Sequence, residues 1–121
     1  MQKGSKILIV EDDDSYRLIL RTILEDNGFL VTEAVNGAAA LEVLRTSPMD
    51  LAVVDLEMPV MNGIEFTKWV KDIDPKFPVI IITAHEKHFS PSEIISVNVE
   101  AFIHKPFQIE ELLKTIESIE K

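Results

Sequence analysis

Apolar residues along the chain follow two alternating patterns. Short unbroken apolar runs, typical of fully buried strands, are separated by longer stretches in which apolar residues return every three to four positions, the spacing of a helix face. Lys6-Ile-Leu-Ile-Val10 predicts a first buried strand. Tyr16, Ile19, Leu20, Ile23 and Leu24 then share one helical face, predicting a helix over about Ser15–Asn27. Asp14 or Ser15 can cap its start, and Gly28 suits its end. Leu30-Val-Thr-Glu-Ala34 is a more polar strand, as expected at a sheet edge. Asn36-Gly37 reads as a turn, Ala38–Arg45 as a helix burying Leu41 and Leu44, and Pro48 as its stop. Leu51–Val54 is a third, central strand that runs into Asp55. After Gly63 a helix presents Phe66, Trp69, Val70 and Ile73 on one face, with Trp69 read as core. Val79-Ile-Ile-Ile82 is a fourth strand ending at Thr83-Ala84. Ser90-Pro-Ser-Glu93 is a capping-box pattern with Pro at the first helical position, so a short helix begins there. Ala101-Phe-Ile-His104 is a fifth strand, and Ile109, Leu112, Leu113, Ile116 and Ile119 form the buried face of a last helix.

Five β-α units in strict alternation imply a parallel sheet covered by helices on both faces. A five-stranded, doubly wound α/β sheet in the order 2-1-3-4-5 places the polar second strand at an edge. The first and third strands are then neighbours at the switch point, where open parallel sheets bind ligands beyond their C-terminal ends.

The 121 residues suggest one domain, residues 1–121, with a core of its own. The absence of Cys excludes disulfides and thiolate metal sites. The first residues lack the apolar stretch of a signal peptide, and no apolar run is long enough to span a membrane. A cytoplasmic protein is expected. A net charge of −9 argues against nucleic-acid binding by this domain.

Charge becomes informative once it is placed on the strands. The first strand ends in Glu11-Asp12-Asp13-Asp14, the third in Asp55, the fourth in Thr83, and the fifth in Lys105. A helix start favours one or two of those acids, and Asp13 reads best as such. Two carboxylates about 4 Å apart repel by roughly 4 kcal/mol at an effective dielectric near 20. One lysine does not offset three of them. A hard dication does, and an all-oxygen donor set points to Mg²⁺, which commonly works with a phosphate. Thr83 offers a hydroxyl and Lys105 a point charge, both suited to phosphoryl oxygens.

The pieces Ile-Val-Glu11-Asp12-Asp13, Val-Val-Asp55-Leu-Glu-Met-Pro59 with Asn-Gly63, Thr83-Ala84 and Lys105-Pro106-Phe107 together resemble the receiver domain of two-component response regulators. The resemblance covers nearly the whole chain. It implies that Asp55 is the phospho-acceptor. Glu11 and Asp12 would be the acidic pair that holds Mg²⁺, with Asp55 and the backbone carbonyl of Glu57 completing the protein ligands. Thr83 and Lys105 would bind the phosphoryl group, and Phe102 would stand at the aromatic switch position. The family often has Asp where Glu11 stands and Tyr where Phe102 stands. The first change keeps the charge; the second leaves a switch that works by packing alone. The resemblance also implies a cis peptide bond between Lys105 and Pro106.

The implied mechanism is phosphoryl transfer from the phosphohistidine of a sensor histidine kinase or histidine phosphotransfer protein to Asp55. Thr83 and Phe102 would then move, shifting a surface built from the fourth helix, fifth strand and fifth helix. A second copy of the chain or an output partner would dock there. The domain would not be a turnover enzyme, although it takes part in its own phosphorylation and dephosphorylation. Glu57 and His85 would flank the path of the hydrolytic water and tune the phosphoryl lifetime. His88 and His104 read as solvated. Two rival readings are a degenerate receiver that signals without phosphorylation, disfavoured by the intact Asp55, Thr83 and Lys105, and a small Mg²⁺-dependent phosphohydrolase, disfavoured by the lack of a cap segment.

Overall fold

The computed structural model describes residues 1–84 and 89–119. Its elements are β1 (Lys6–Val10), α1 (Asp14–Asp26), β2 (Leu30–Ala34), α2 (Gly37–Thr46), β3 (Leu51–Asp55), α3 (Gly63–Ile73), β4 (Val79–Thr83), α4 (Pro91–Ile95), β5 (Ala101–His104) and α5 (Ile109–Ser118). The strands form one parallel sheet in the order β2-β1-β3-β4-β5, as the alternation predicts.

Successive strand residues point to opposite faces, so each strand feeds two cores. Ile7, Ile9, Leu51, Val53, Ile80, Ile82 and Ile103 pack with Leu20 and Leu24 of α1 and Leu112 and Ile116 of α5. Leu8, Val10, Ala52, Val54, Val79 and Ile81 pack with Ala40 of α2, Phe66 and Val70 of α3, and Ile94 of α4. This is why the central strands read as unbroken apolar runs. Each Val, Leu, Ile or Phe among them that is fully removed from water contributes about 1.5–3 kcal/mol. Register sets Val10 beside Val54 and Asp55 beside Ile82. The ends of β1, β3 and β4 therefore lie side by side.

The helix starts correct the sequence reading in two places. Asp13, not Asp14 or Ser15, caps α1, accepting a hydrogen bond from the Tyr16 amide at 2.9 Å. Asn36 is not merely part of a turn: its side chain caps α2 by accepting from the Ala39 amide. The capping box of Ser90 and Glu93, with Pro91 opening the helix, is present as expected. Gly28, with φ of 89°, follows the C-cap of α1 in a conformation that side chains disfavour.

Predicted core assignments fail at the margins of four helices. Trp69 is 57% exposed, and Ile73 is exposed beside it. The reason lies at the start of α3. A Cβ on Gly63 would stand 2.6 Å from the Asp55 carbonyl oxygen, so only glycine lets the helix approach so closely. That approach turns Ile64, Thr67 and Val70 inward with Phe66, and Thr67 satisfies its hydroxyl by donating to the Gly63 carbonyl at 2.7 Å. Trp69 and Ile73 are left at the edge of the apolar stripe. With Leu41, Leu44 and Phe77 they line an apolar groove of about 620 Å³ between α2 and α3. Leu41 and Leu44 are accordingly only partly buried, and Ala40 takes the inward position of α2. Ile19 and Ile109 are likewise exposed members of the α1 and α5 stripes.

Candidate functional site

The rows that feed the α1/α5 core change character at their C-terminal ends. Ile7 and Ile9 are followed in step by Glu11, Leu51 and Val53 by Asp55, and Ile103 by Lys105. β1 places Glu11 by continuing its pairing one residue further: the Glu11 amide donates to the Ala34 carbonyl at 3.1 Å. β3 carries Asp55 as its last residue, and the chain then bends, with the Leu56 amide donating to the Ile82 carbonyl and the Gly63 amide to the Leu56 carbonyl. β5 delivers Lys105, whose amide donates to the Thr83 carbonyl at 2.8 Å. The Lys105–Pro106 bond is cis, as the resemblance implied.

These ends bring carboxylate oxygens of Glu11, Asp12 and Asp55 within 4.8 Å of one another. Glu11 is buried, Asp12 is exposed at the rim, and Asp55 is 9% exposed. The Lys105 ammonium donates to Glu11 Oε1 at 2.7 Å and stands 3.6 Å from Asp55 Oδ1. Burial, followed by the neighbouring Glu11 charge, pushes the Asp55 carboxyl up to about 7, against the pull of Lys105. Burial alone would lower Lys105, but its hydrogen bond to Glu11 and the Asp55 charge raise it overall. Among the described residues, the three carboxylates thus carry more negative charge than the Lys105 ammonium offsets. Three carboxylates converge with no nitrogen or sulfur donor among the described residues, which is the chemistry of a hard dication, so these residues fit Mg²⁺.

The remaining site candidates are placed as follows. Thr83 is buried at the end of β4, on the strand next to Asp55 and tied through its carbonyl to Lys105. Phe102 is half-buried on β5 opposite Ile81 and packs against the α2/α3 core. Glu57 is exposed in the bend after β3. His104 is exposed. His85 and His88 lie outside the described residues.

Asp13 and Asp14 have structural work, as the helix-start reading anticipated for Asp13. Asp13 caps α1, and Asp14 pairs with Arg17. Arg17 also donates to the Glu11 carbonyl at 3.0 Å and to Glu33 at 3.0 Å. Two site neighbours escaped the sequence reading. One is Arg17, which braces the backbone of Glu11. The other is Tyr16, whose ring centre lies 4.0 Å from the Lys105 ammonium. Helical spacing marked Tyr16 only as an apolar-face residue, and nothing in the linear sequence aligns it with a lysine so far along the chain. Among the described residues, no helix is long and apolar enough to cross a membrane.

Comparison with known proteins agrees with this fold. The chain is 38% identical over 112 residues to the chemotaxis protein CheY of Bacillus subtilis, covering 92% of this chain and 93% of that protein. It is 33% identical over 114 residues to the polar-differentiation response regulator DivK of Brucella anthropi, covering 93% of each. Among solved structures it superposes on the response regulator TrrA of Thermotoga maritima, determined in complex with Mg²⁺-BeF, with a TM-score of 0.84 and 26% identity over 93% of this chain and 96% of that one. The family model of the response regulator receiver domain matches residues 7–117, and with the five-stranded sheet and its acidic edge in place, the chain belongs to that family of two-component signalling domains.

Proposed function

We propose that this receiver domain accepts a phosphoryl group on Asp55 from the phosphohistidine of a sensor histidine kinase or histidine phosphotransfer protein, with Mg²⁺ bound. The observation that carries this reading is the convergence of Glu11, Asp12 and Asp55 within 4.8 Å, with the Lys105 ammonium 3.6 Å from Asp55. The site geometry of TrrA in its Mg²⁺-BeF complex belongs to that protein, but the shared fold and family support the same chemistry here.

Asp55 attacks phosphorus through a carboxylate oxygen as the bond to the donor imidazole breaks, and the imidazole leaves with the electron pair. An acceptor whose carboxyl is pushed up to about 7 is only partly ionised near neutrality, so opposite charge at the acidic pair favours the reactive form. Glu11, Asp12, Asp55 and the Glu57 carbonyl would hold Mg²⁺, which when bound neutralises charge on the phosphoryl oxygens. Lys105 moves its ammonium from the carboxylate to a phosphoryl oxygen, and the Thr83 hydroxyl donates to another. Thr83 and Phe102 fall on the same face of the sheet on adjacent strands, so a shift of Thr83 opens space that Phe102 can fill. The resulting change on α4, β5 and α5 is what an output partner, or a second copy of the chain, would read. Glu57 and His85 would set the phosphoryl lifetime. The domain acts as a switch, not a turnover enzyme, and residues 1–121 would act as one unit in the cytoplasm.

Incubation with acetyl phosphate and Mg²⁺ should add about 80 Da, the mass of one phosphoryl group. Uptake that survives Asp55→Asn would overturn the assignment.

A further inference from the structure

An ammonium has three protons to place, and Lys105 is almost wholly buried. Glu11 takes one at 2.7 Å, and Asp55 lies 3.6 Å away. The third side of the ammonium faces the ring of Tyr16, 4.0 Å from its centre. That distance is within the range of a cation–π contact. Tyr16 is itself held: its ring meets Phe107 at 6.4 Å between centroids with a 40° tilt, and Phe107 packs against the α1/α5 core. The lysine is therefore gripped by two acids and one ring.

The geometry points to Tyr16 as a positioning residue that keeps the Lys105 ammonium aimed at Asp55 when the acids are engaged elsewhere. This rests on the proposed phospho-acceptor chemistry. Glu11 and Asp55 are also the residues fitted to a cation, and Asp55 is the residue to be phosphorylated. Of the three contacts on Lys105, only the Tyr16 ring keeps the same partner through that change. An aliphatic side chain at this position would fill similar space on α1 but would offer no negative π-face. The lysine would then sample orientations away from Asp55, and both acceptor and phosphoryl group would lose its charge.

The test uses Tyr16→Leu and Tyr16→Phe beside the wild type. In metal-free protein, NMR should show the Lys105 ε-methylene signals displaced upfield by the ring in wild type and Tyr16→Phe, and returned to ordinary positions in Tyr16→Leu. With Mg²⁺ and acetyl phosphate, the rate of Asp55 phosphorylation should fall about 3- to 10-fold in Tyr16→Leu, the range a partly desolvated cation–π contact supports. It should remain near wild type in Tyr16→Phe. A wild-type rate in Tyr16→Leu overturns the proposal, as does an equal loss in both variants or a Lys105 signal indifferent to the substitution. If wild-type protein itself takes up no phosphoryl group, the receiver chemistry fails, while the metal-free NMR comparison still decides whether Tyr16 orients Lys105.

Discussion

Ile9 and Glu11 lie two residues apart in one row of the sheet, as do Val53 and Asp55 in the next. Both pairs are almost fully removed from water. Ile9 and Val53 contribute stability by that burial, whereas Glu11 and Asp55 are held there at a cost in desolvation and mutual repulsion. The difference is one of position along the strand. In the sheet interior the strands are hydrogen-bonded side by side and pack mainly against apolar side chains from the helices. At the C-terminal edge strands give way to bends, and polar groups from several elements can meet. The fold lets its interior support a group of charges that could not remain together in open chain.

Opposite substitutions in adjacent rows should therefore have opposite effects. Ile9→Ala should lower the unfolding free energy by about 2–5 kcal/mol, through lost transfer energy and a cavity, measured by urea denaturation. If Ile9→Ala proves neutral, the interior is not the source of support.

Asp55→Asn should raise the stability of metal-free protein above neutral pH by roughly 1–3 kcal/mol, because it removes a buried charge that the folded state disfavours. The sign follows from linkage. The folded carboxyl sits near 7 and the unfolded one near 3.8. The folded state therefore binds this proton more tightly, and the stability it brings is complete below the unfolded value and is lost as pH rises through about 7. Urea midpoints of the wild type should fall across that window, and those of Asp55→Asn should fall less. Parallel profiles would show that Asp55 is not the strained group.

Addition of millimolar Mg²⁺ to wild type should raise the melting temperature by an amount equivalent to about 1–2 kcal/mol, as expected for a ligand that binds only the folded state at about 5 to 30 times its dissociation constant. Asp12→Ala should lose most of that gain. A melting temperature indifferent to Mg²⁺ would break the reading of the edge as a cation site.

The smallest effect concerns the loop beyond Asp55. Val60 has φ of 72° and is 81% exposed, and the Met61 amide donates to the Pro59 carbonyl across it. A β-branched residue is strained there. Val60→Gly should raise stability by roughly 0.5–1 kcal/mol, with relief of strain outweighing the greater freedom of the unfolded chain. Thermal denaturation of the two proteins side by side would show it, and a lower midpoint in the variant would contradict it.

Sequence alone determined the order and type of the elements, because apolar runs and helical spacings are local properties of the chain. It also marked Asp55, Glu11, Asp12, Thr83 and Lys105 as strand-end residues, since a charged or hydroxyl residue closing an apolar run is visible without a structure. Tertiary structure decided which margin of each helix stripe is buried. Trp69 and Ile73 differ from Phe66 and Val70 only by how α3 rolls on the sheet, and that roll is set by contact between Gly63 and the Asp55 backbone. The caps at Asp13 and Asn36 depended on where each helix began, which competing polar neighbours obscured in the sequence. The ring of Tyr16 over Lys105 was beyond any local reading, because it joins a residue of the first helix to one after the last strand through the closure of the whole sheet.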